Sequence, residues 1–348
     1  MSRRFGAVAV LAVFSLVPFL GNGGVAVAGS AAWVPTHTQA FSLAHATNLG
    51  KLTSSTPLHI SVALALRNQL QLQAYIRAVN SAGSSMYGQT LTPSQFKAQY
   101  GPTNAQVSSV ESYLRSKGFS QVSATSNNIY VSGWATPALA DAAFNTKIDA
   151  FKQQGQGVVY ANVTPAMVPA MYRNVLIAVL GLTNAARMRF PSTPKTTPLA
   201  GVPNVPNSFW APGFQKAYGA SGTAPASKTA IAIMAEGNLN QVVKDLRSYE
   251  GDSNNDTCVT VKKKTTCTKL PQVPVTVEHV GISSPDTSGM VEWDMDTQTS
   301  TGLAGAVKHL YLYDATSLTD SDVALEFNRF VSQDLAKAGS ASFGECEY

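Results

Sequence analysis

The chain has 348 residues, 45% apolar and only 13% charged, with 25 basic and 20 acidic side chains and a net charge of +5. Charge this sparse and this balanced excludes a disordered chain, a collagen-like chain and a protein that coats nucleic acid. The length fits about two domains, each able to bury a core, and Ser, Thr, Ala, Asn and Gln stand where Lys and Glu are usual, a surface suited to an exported protein working in acid.

Residues 1–28 have the three parts of a secretory signal peptide. These are Arg3 and Arg4, the apolar run Ala7 to Leu20, and Ala26-Val27-Ala28 ahead of Gly29. The run is shorter than the roughly 20 residues of a membrane span, so we expect a secreted protein with no membrane association once the signal is removed. Residues 29–56 are polar and unpatterned and read as an extended arm.

Residues 57–182 read as a compact α/β unit. His59 to Leu66 predicts a strand and Leu70 to Val79 a helix. Thr92 is placed to cap a helix whose first residue is Pro93, and Asn104 to Lys117 predicts a helix that stops at Gly118, with Val107, Val110 and Leu114 on one face. Asn128 to Val131 is β-prone, Thr136-Pro137 opens a helix through Phe144, and Val158 to Val163 is a returning strand. The unit has no nucleophile and base pair, no metal-ligand spacing and no phosphate loop. Residues 183–212 follow as a proline-rich linker, with Arg187 and Arg189 at its start and six prolines from Pro191 to Pro212. It disfavours regular structure and is the expected processing region.

Residues 213–348 alternate strand and helix, which implies a parallel sheet covered on both faces. The strands are Thr229 to Met234, Pro274 to Val280, Ala306 to Tyr313 and a start at Ser340 to Gly344. The helices are Leu239 to Tyr249, Val291 to Ser300 and Val323 to Ala338, the last with Val323, Phe327, Phe330 and Val331 as its apolar stripe. Cys258 and Cys267 bracket a short loop that one disulfide would close, leaving Cys346 without a partner in this sequence. Lys262, Lys263 and Lys264 in that loop read as a solvated turn rather than a polyanion patch. The histidines at 37, 45, 59, 279 and 309 form no triad or metal spacing, and Asn162-Val163-Thr164 and Asn255-Asp256-Thr257 fit the glycosylation pattern.

The chemistry-bearing feature is Glu292 and Asp296, four residues apart. On a helix they share one face at about 6 Å, where mutual repulsion raises one proton affinity. Such a pair can also be a solvated helix end. Context decides. Glu292 to Tyr313, EWDMDTQTSTGLAGAVKHLYLY, resembles the segment of the sedolisin, or kumamolisin-like, serine-carboxyl peptidases that carries Glu-x-x-Leu-Asp, with Met295 in place of leucine. Residues 57–182, with Leu91-Thr92-Pro93-Ser94-Gln95-Phe96 and Gly181-Leu182, resemble that family's activation propeptide, and Ser208 to Tyr218 the start of its catalytic domain. Ile231 to Asn238 is similar to the family's first strand and glycine turn, and Ser340-Ala341-Ser342-Phe343-Gly344 resembles the strand that pairs with substrate, which implies substrate contacts at Ser342, Phe343 and Gly344.

The resemblance implies an α/β fold: a ferredoxin-like α+β propeptide domain followed by an incomplete subtilisin-like parallel α/β domain. It implies acyl transfer from peptide bonds in acid, Glu292 acting as general base and Asp296 orienting it, with the propeptide packed on the catalytic domain. The partners expected are peptide or protein substrates, not nucleic acid. The family's Ser-Gly-Thr-Ser nucleophile, its oxyanion Asp and its calcium loop are absent, so no cofactor or metal is expected in this chain, which reads as truncated and inactive alone. Ser221-Gly222-Thr223 precedes the Glu and is not the nucleophile motif. The alternatives are a propeptide-type inhibitor or chaperone of a related protease, and a secreted α/β protein whose acid pair is surface decoration.

Overall fold

A computed structural model describes residues 32–43, 45–153, 157–190 and 210–344. The signal segment 1–28, linker residues 191–209 and Cys346 lie outside the described residues.

The N-terminal region runs β1 (Trp33–Pro35), β2 (Thr47–Lys51), β3 (Leu58–Leu64), α1 (Gln69–Asn80), α2 (Pro93–Gln99), α3 (Asn104–Ser116), β4 (Ser120–Ala124), β5 (Tyr130–Ala135), α4 (Pro137–Phe144), β6 (Ile148–Gln153), β7 (Gly157–Asn162), β8 (Met167–Pro169) and β9 (Leu176–Leu180). Local chemistry sets the helix starts. Thr92 and Thr103 each form a capping box with the glutamine three residues on, and the Thr136 hydroxyl accepts from the Leu139 N–H. The main sheet is antiparallel in the order β4-β5-β3-β9. Ile60, Val62 and Leu64 of β3 pack with Val110 and Leu114 of α3 and Phe144 of α4. The segment that reads as an unpatterned arm instead supplies two paired strands, β1 on β8 and β2 on β6. Its strands are short, three and five residues, too few to show a pattern, and cross-strand pairing supplies what pattern does not.

The C-terminal region runs α5 (Ala211–Ala217), β10 (Ala230–Glu236), α6 (Asn240–Gly251), β11 (Thr257–Val261), β12 (Lys264–Thr268), β13 (Val275–Val280), α7 (Met290–Ala304), β14 (His309–Ala315), α8 (Asp320–Gln333) and β15 (Ala338–Ala341). Strands β13-β14-β10-β15 form a wholly parallel sheet. β10 is buried on both faces: Ile233 and Ala235 meet Leu246 and Trp293, while Ala232 and Met234 meet Tyr313 and Phe330. That explains its unbroken apolar sequence.

Only half of the apolar stripe expected on α8 is packed inward: Val323 is buried, and Phe330, partly buried, packs against the core. Phe327 and Val331 are 40% and 56% exposed, while Val323, Leu325, Glu326 and Asn328 are buried. The reason is that α8 has packing partners on two sides. Glu326 accepts from the Ala235 N–H in the parallel sheet, and Asn328 accepts from Asn127 of the N-terminal region at 2.7 Å. β11 and β12 form a separate hairpin in which Cys258 faces Cys267 and is disulfide-bonded to it.

Candidate active site

The site grows from the start of α7. A Cβ at Gly289 would run into the indole nitrogen of Trp293, so the glycine lets the first turn close over that ring. Trp293 is 1% exposed and its Nε1 donates to the Glu236 carbonyl at 3.1 Å, tying α7 to the carboxyl end of β10. This anchor aims the pair inward. Glu292 is 2% exposed, and its Oε2 has no hydrogen-bond partner among the described residues. Asp296 Oδ1 accepts from the Ser342 hydroxyl at 2.8 Å, while its Oδ2 is buried without a partner among the described residues. Burial holds the Asp296 carboxyl above its ordinary range, the Ser342 hydrogen bond opposes the rise, and the charge of Glu292 adds to it. Two inward-facing carboxyl groups with free acceptor oxygens can take and pass a proton in acid.

Of the residues predicted on sequence for the site, the structure brings Ser342 onto Asp296, with Phe343 and Gly344 next to Ser342 in the chain. Ser342 bonds Asp296, the Phe343 ring stands edge-on to Trp293 at 6.3 Å, and Gly344 lies just beyond. β15 itself ends at Ala341, so these three residues leave the sheet. Cys258 and Cys267 serve the hairpin and take no part in the site. Ser221 and Gly222 lie in an exposed turn.

A segment of the linker occupies the same place. The Arg189 N–H donates to the Gly344 carbonyl at 2.8 Å, the Gly344 N–H returns to the Arg189 carbonyl at 3.0 Å, and the Met188 N–H donates to the Leu318 carbonyl at 2.8 Å. Phe190 then sets its ring 6.0 Å from Trp293. Arg187 to Phe190 thus forms an extended strap antiparallel to the chain at Gly344.

Three buried acids at the carboxyl ends of β10 and β14 escaped the sequence reading. Burial pushes the Glu236 carboxyl up to about 7, with Asp286 adding to the rise and Arg187 opposing it. Glu326, fully buried, is pushed up to about 9 by burial despite the Ala235 N–H it accepts. Asp314 pairs with His279 Nδ1 at 2.6 Å, and burial still raises it. Glu236 and Asp314 had a signal, since ligands favour the carboxyl ends of parallel strands. A lone Glu326 on a helix had none. On another face of α7, burial first and then Asp245 push Asp294 up to about 7.

Fold and site together define a mixed α/β chain in which an antiparallel activation-type unit precedes a parallel sheet bearing a helix-borne acid pair. Residues 44–185 match the pro-kumamolisin activation domain family. Xanthomonalisin of Xanthomonas sp. (strain T-22) is 32% identical over 317 residues, covering 85% of this chain and 36% of that protein. Sedolisin of Pseudomonas sp. (strain 101) is 31% identical over 365 residues, covering 99% of this chain and 58% of that protein. A solved structure of Pseudomonas sedolisin, a serine-carboxyl proteinase complexed with two molecules of pseudo-iodotyrostatin, is 28% identical over 35% of this chain and 31% of its own, with a TM-score of 0.29. The chain belongs to the sedolisin, or kumamolisin-like, family of serine-carboxyl peptidases. It spans between about a third and three fifths of the length of these curated relatives. Among the described residues, no helix is long and apolar enough to cross a membrane.

Proposed function

We propose that the chain is the precursor part of a secreted, acid-acting serine-type endopeptidase, with residues 57–182 as activation propeptide, 183–212 as processing linker and 213–348 as the N-terminal portion of the catalytic domain. The antiparallel order β4-β5-β3-β9 with α3 and α4 supports a ferredoxin-like propeptide. The parallel sheet with helices on both faces supports a subtilisin-like catalytic part. In this reading Glu292 takes the proton of a serine hydroxyl as that oxygen attacks the peptide carbonyl, and Asp296 holds Glu292 in place. A carboxylate base suits acid, where histidine is already protonated. The serine, the acid that would stabilise the oxyanion and the family's calcium site would lie outside residues 1–348.

One observation carries the reading. Arg187 to Phe190 pairs with Gly344 and sets Phe190 against Trp293, the neighbour of Glu292, and Gly344 lies two residues from Ser342, which bonds Asp296; a peptide substrate would lie in the same extended way. The test is peptide hydrolysis between about pH 3 and 7 by the 348-residue chain and by any longer product of the same gene, each beside E292Q. We expect no turnover from the chain itself and E292Q-sensitive turnover from a longer product. Turnover by the chain itself would refute the missing nucleophile, and a longer product indifferent to E292Q would refute the base.

A second reading has its own support: the residues of the N-terminal core cluster all lie within residues 34–182. Such a unit can fold alone and inhibit a related protease. Adding purified residues 29–182 to a homologous acid protease tests it, and full activity at micromolar excess would dispose of it.

A further inference from the structure

The hairpin of β11 and β12 stands outside the peptidase reading and is built unlike the rest of the molecule. All ten of its strand residues are exposed, Val259 and Val261 by 57% and 61%, so neither face packs on the body. Its coherence comes from within: the Cys258–Cys267 disulfide and the Thr260–Thr265 hydroxyl pair at 2.8 Å. The two residues of its turn are Lys262 and Lys263, with φ of 49° and 67°. A two-residue turn of this kind calls for Asn-Gly, because both central residues must take the left-handed conformation that a Cβ disfavours. Here lysine fills both positions. Backbone strain kept at the tip of an otherwise unattached element is the mark of a position held for function rather than fold.

The charge agrees. Lys262, Lys263, Lys264 and Lys269 are all exposed, and none makes an ion pair among the described residues. No acidic residue occurs from Thr257 to Val277, so these four lysines supply all but one of the chain's net five positive charges. A disulfide-braced prong that gathers nearly the whole net charge of the molecule is an electrostatic contact surface.

We propose that this hairpin binds an anionic polysaccharide, a polymer of spaced carboxylate or sulfate groups. Its side chains select that partner. From Thr257 to Lys269 there is no aromatic residue to stack on a base, no arginine to grip a phosphate by two bonds, and no long aliphatic or aromatic side chain to enter an acyl layer. What remains is lysine as a mobile point charge, with the hydroxyls of Thr257, Thr260, Thr265, Thr266 and Thr268 beside it to bond sugar and acid oxygens.

The experiment measures binding of the purified chain to heparin and to polygalacturonate across a salt series. We expect binding at low salt to one or both polymers, the stronger of them reporting sulfate or carboxylate as the favoured group. The K262Q/K263Q/K264Q variant should bind about tenfold or more weakly, with a salt slope shallower by two to three counterions. K262N/K263G relaxes the turn, so it should melt no lower than the parent and still bind more weakly, which separates contact from folding. No binding of the parent to either polymer would overturn the proposal. So would an equal loss in K216Q/K228Q/K244Q, which removes three exposed lysines elsewhere. Phosphatidylglycerol vesicles displacing the chain from heparin at equal charge would assign the prong to lipid and overturn it too.

Discussion

Arg189 and Gly344 exchange backbone hydrogen bonds in both directions, at 2.8 and 3.0 Å, although one follows the antiparallel unit and the other follows the last strand of the parallel sheet. The pair is short, with one further backbone bond from Met188 to Leu318, so it needs a side-chain anchor. Phe190 against Trp293 is that anchor. F190A should lose on the order of 1–3 kcal/mol of local packing. It should therefore speed hydrogen exchange at the Arg189 and Gly344 amides by about tenfold or more while the core amides of β10 stay protected. Unchanged exchange at those two amides would mean that the ring does not hold the strap.

Glu326 and Glu236 make stability fall as pH rises. Both carboxyls have a higher proton affinity folded, at about 9 and about 7, than their ordinary value of 4.5. Between these limits the folded chain holds more protons than the unfolded chain, so the unfolding free energy declines with rising pH. The Glu326 share is present below about pH 4.5 and lost on the way to pH 9. Asp286 acts oppositely: the Ser288 N–H pulls its carboxyl below the ordinary 3.8, and its share is lost as pH falls below that value. The melting temperature should therefore peak near pH 4–5. E326Q keeps an acceptor for Ala235 and removes the titration, so it should stabilise the chain by on the order of a few kcal/mol at pH 8 and little at pH 4. A parent that melts highest at pH 8 would contradict this.

The helices of the N-terminal region were legible because their signals are local. Thr92-Pro93, Thr136-Pro137 and Gly118 act within one turn, and the structure has them doing so. The acid pair was legible through its spacing and the family pattern around it. What escaped depends on partners distant in sequence. β2 and β4 are short and polar and exist through pairing with β6 and β5. Glu326 and Asn328 are buried because α8 has a sheet on one side and Asn127 on the other, which no periodicity on α8 alone encodes. The strap escaped for the same reason, since nothing in Arg187 to Phe190 announces Gly344.

The Ser342 hydroxyl is the only hydrogen-bond partner of the Asp296 carboxylate among the described residues. S342A leaves both carboxyl oxygens without one. Removing a bond that opposes the rise in Asp296 proton affinity lets burial raise it further. The variant should lose about 1–3 kcal/mol at pH 7, where the unpaired charge must stay buried, and less at pH 4, where the group is closer to neutral. Denaturant midpoints at the two pH values check this. An equal loss at both would assign Ser342 to packing.

Gly289 and Trp293 should be energetically coupled. G289A places a methyl against the indole nitrogen, and the ring cannot retreat because it is fully buried between α7 and β10. We expect a cost of about 1–3 kcal/mol, as for overpacking elsewhere. W293F costs a comparable amount for another reason, since the Glu236 carbonyl loses its donor. Phenylalanine also removes the atoms that the new methyl would strike, so G289A should cost much less in the W293F background. The double-mutant cycle should return a coupling of about 1 kcal/mol or more, measured by denaturation at pH 4.5. Additive losses would mean that the helix start, not the ring, sets the requirement for glycine.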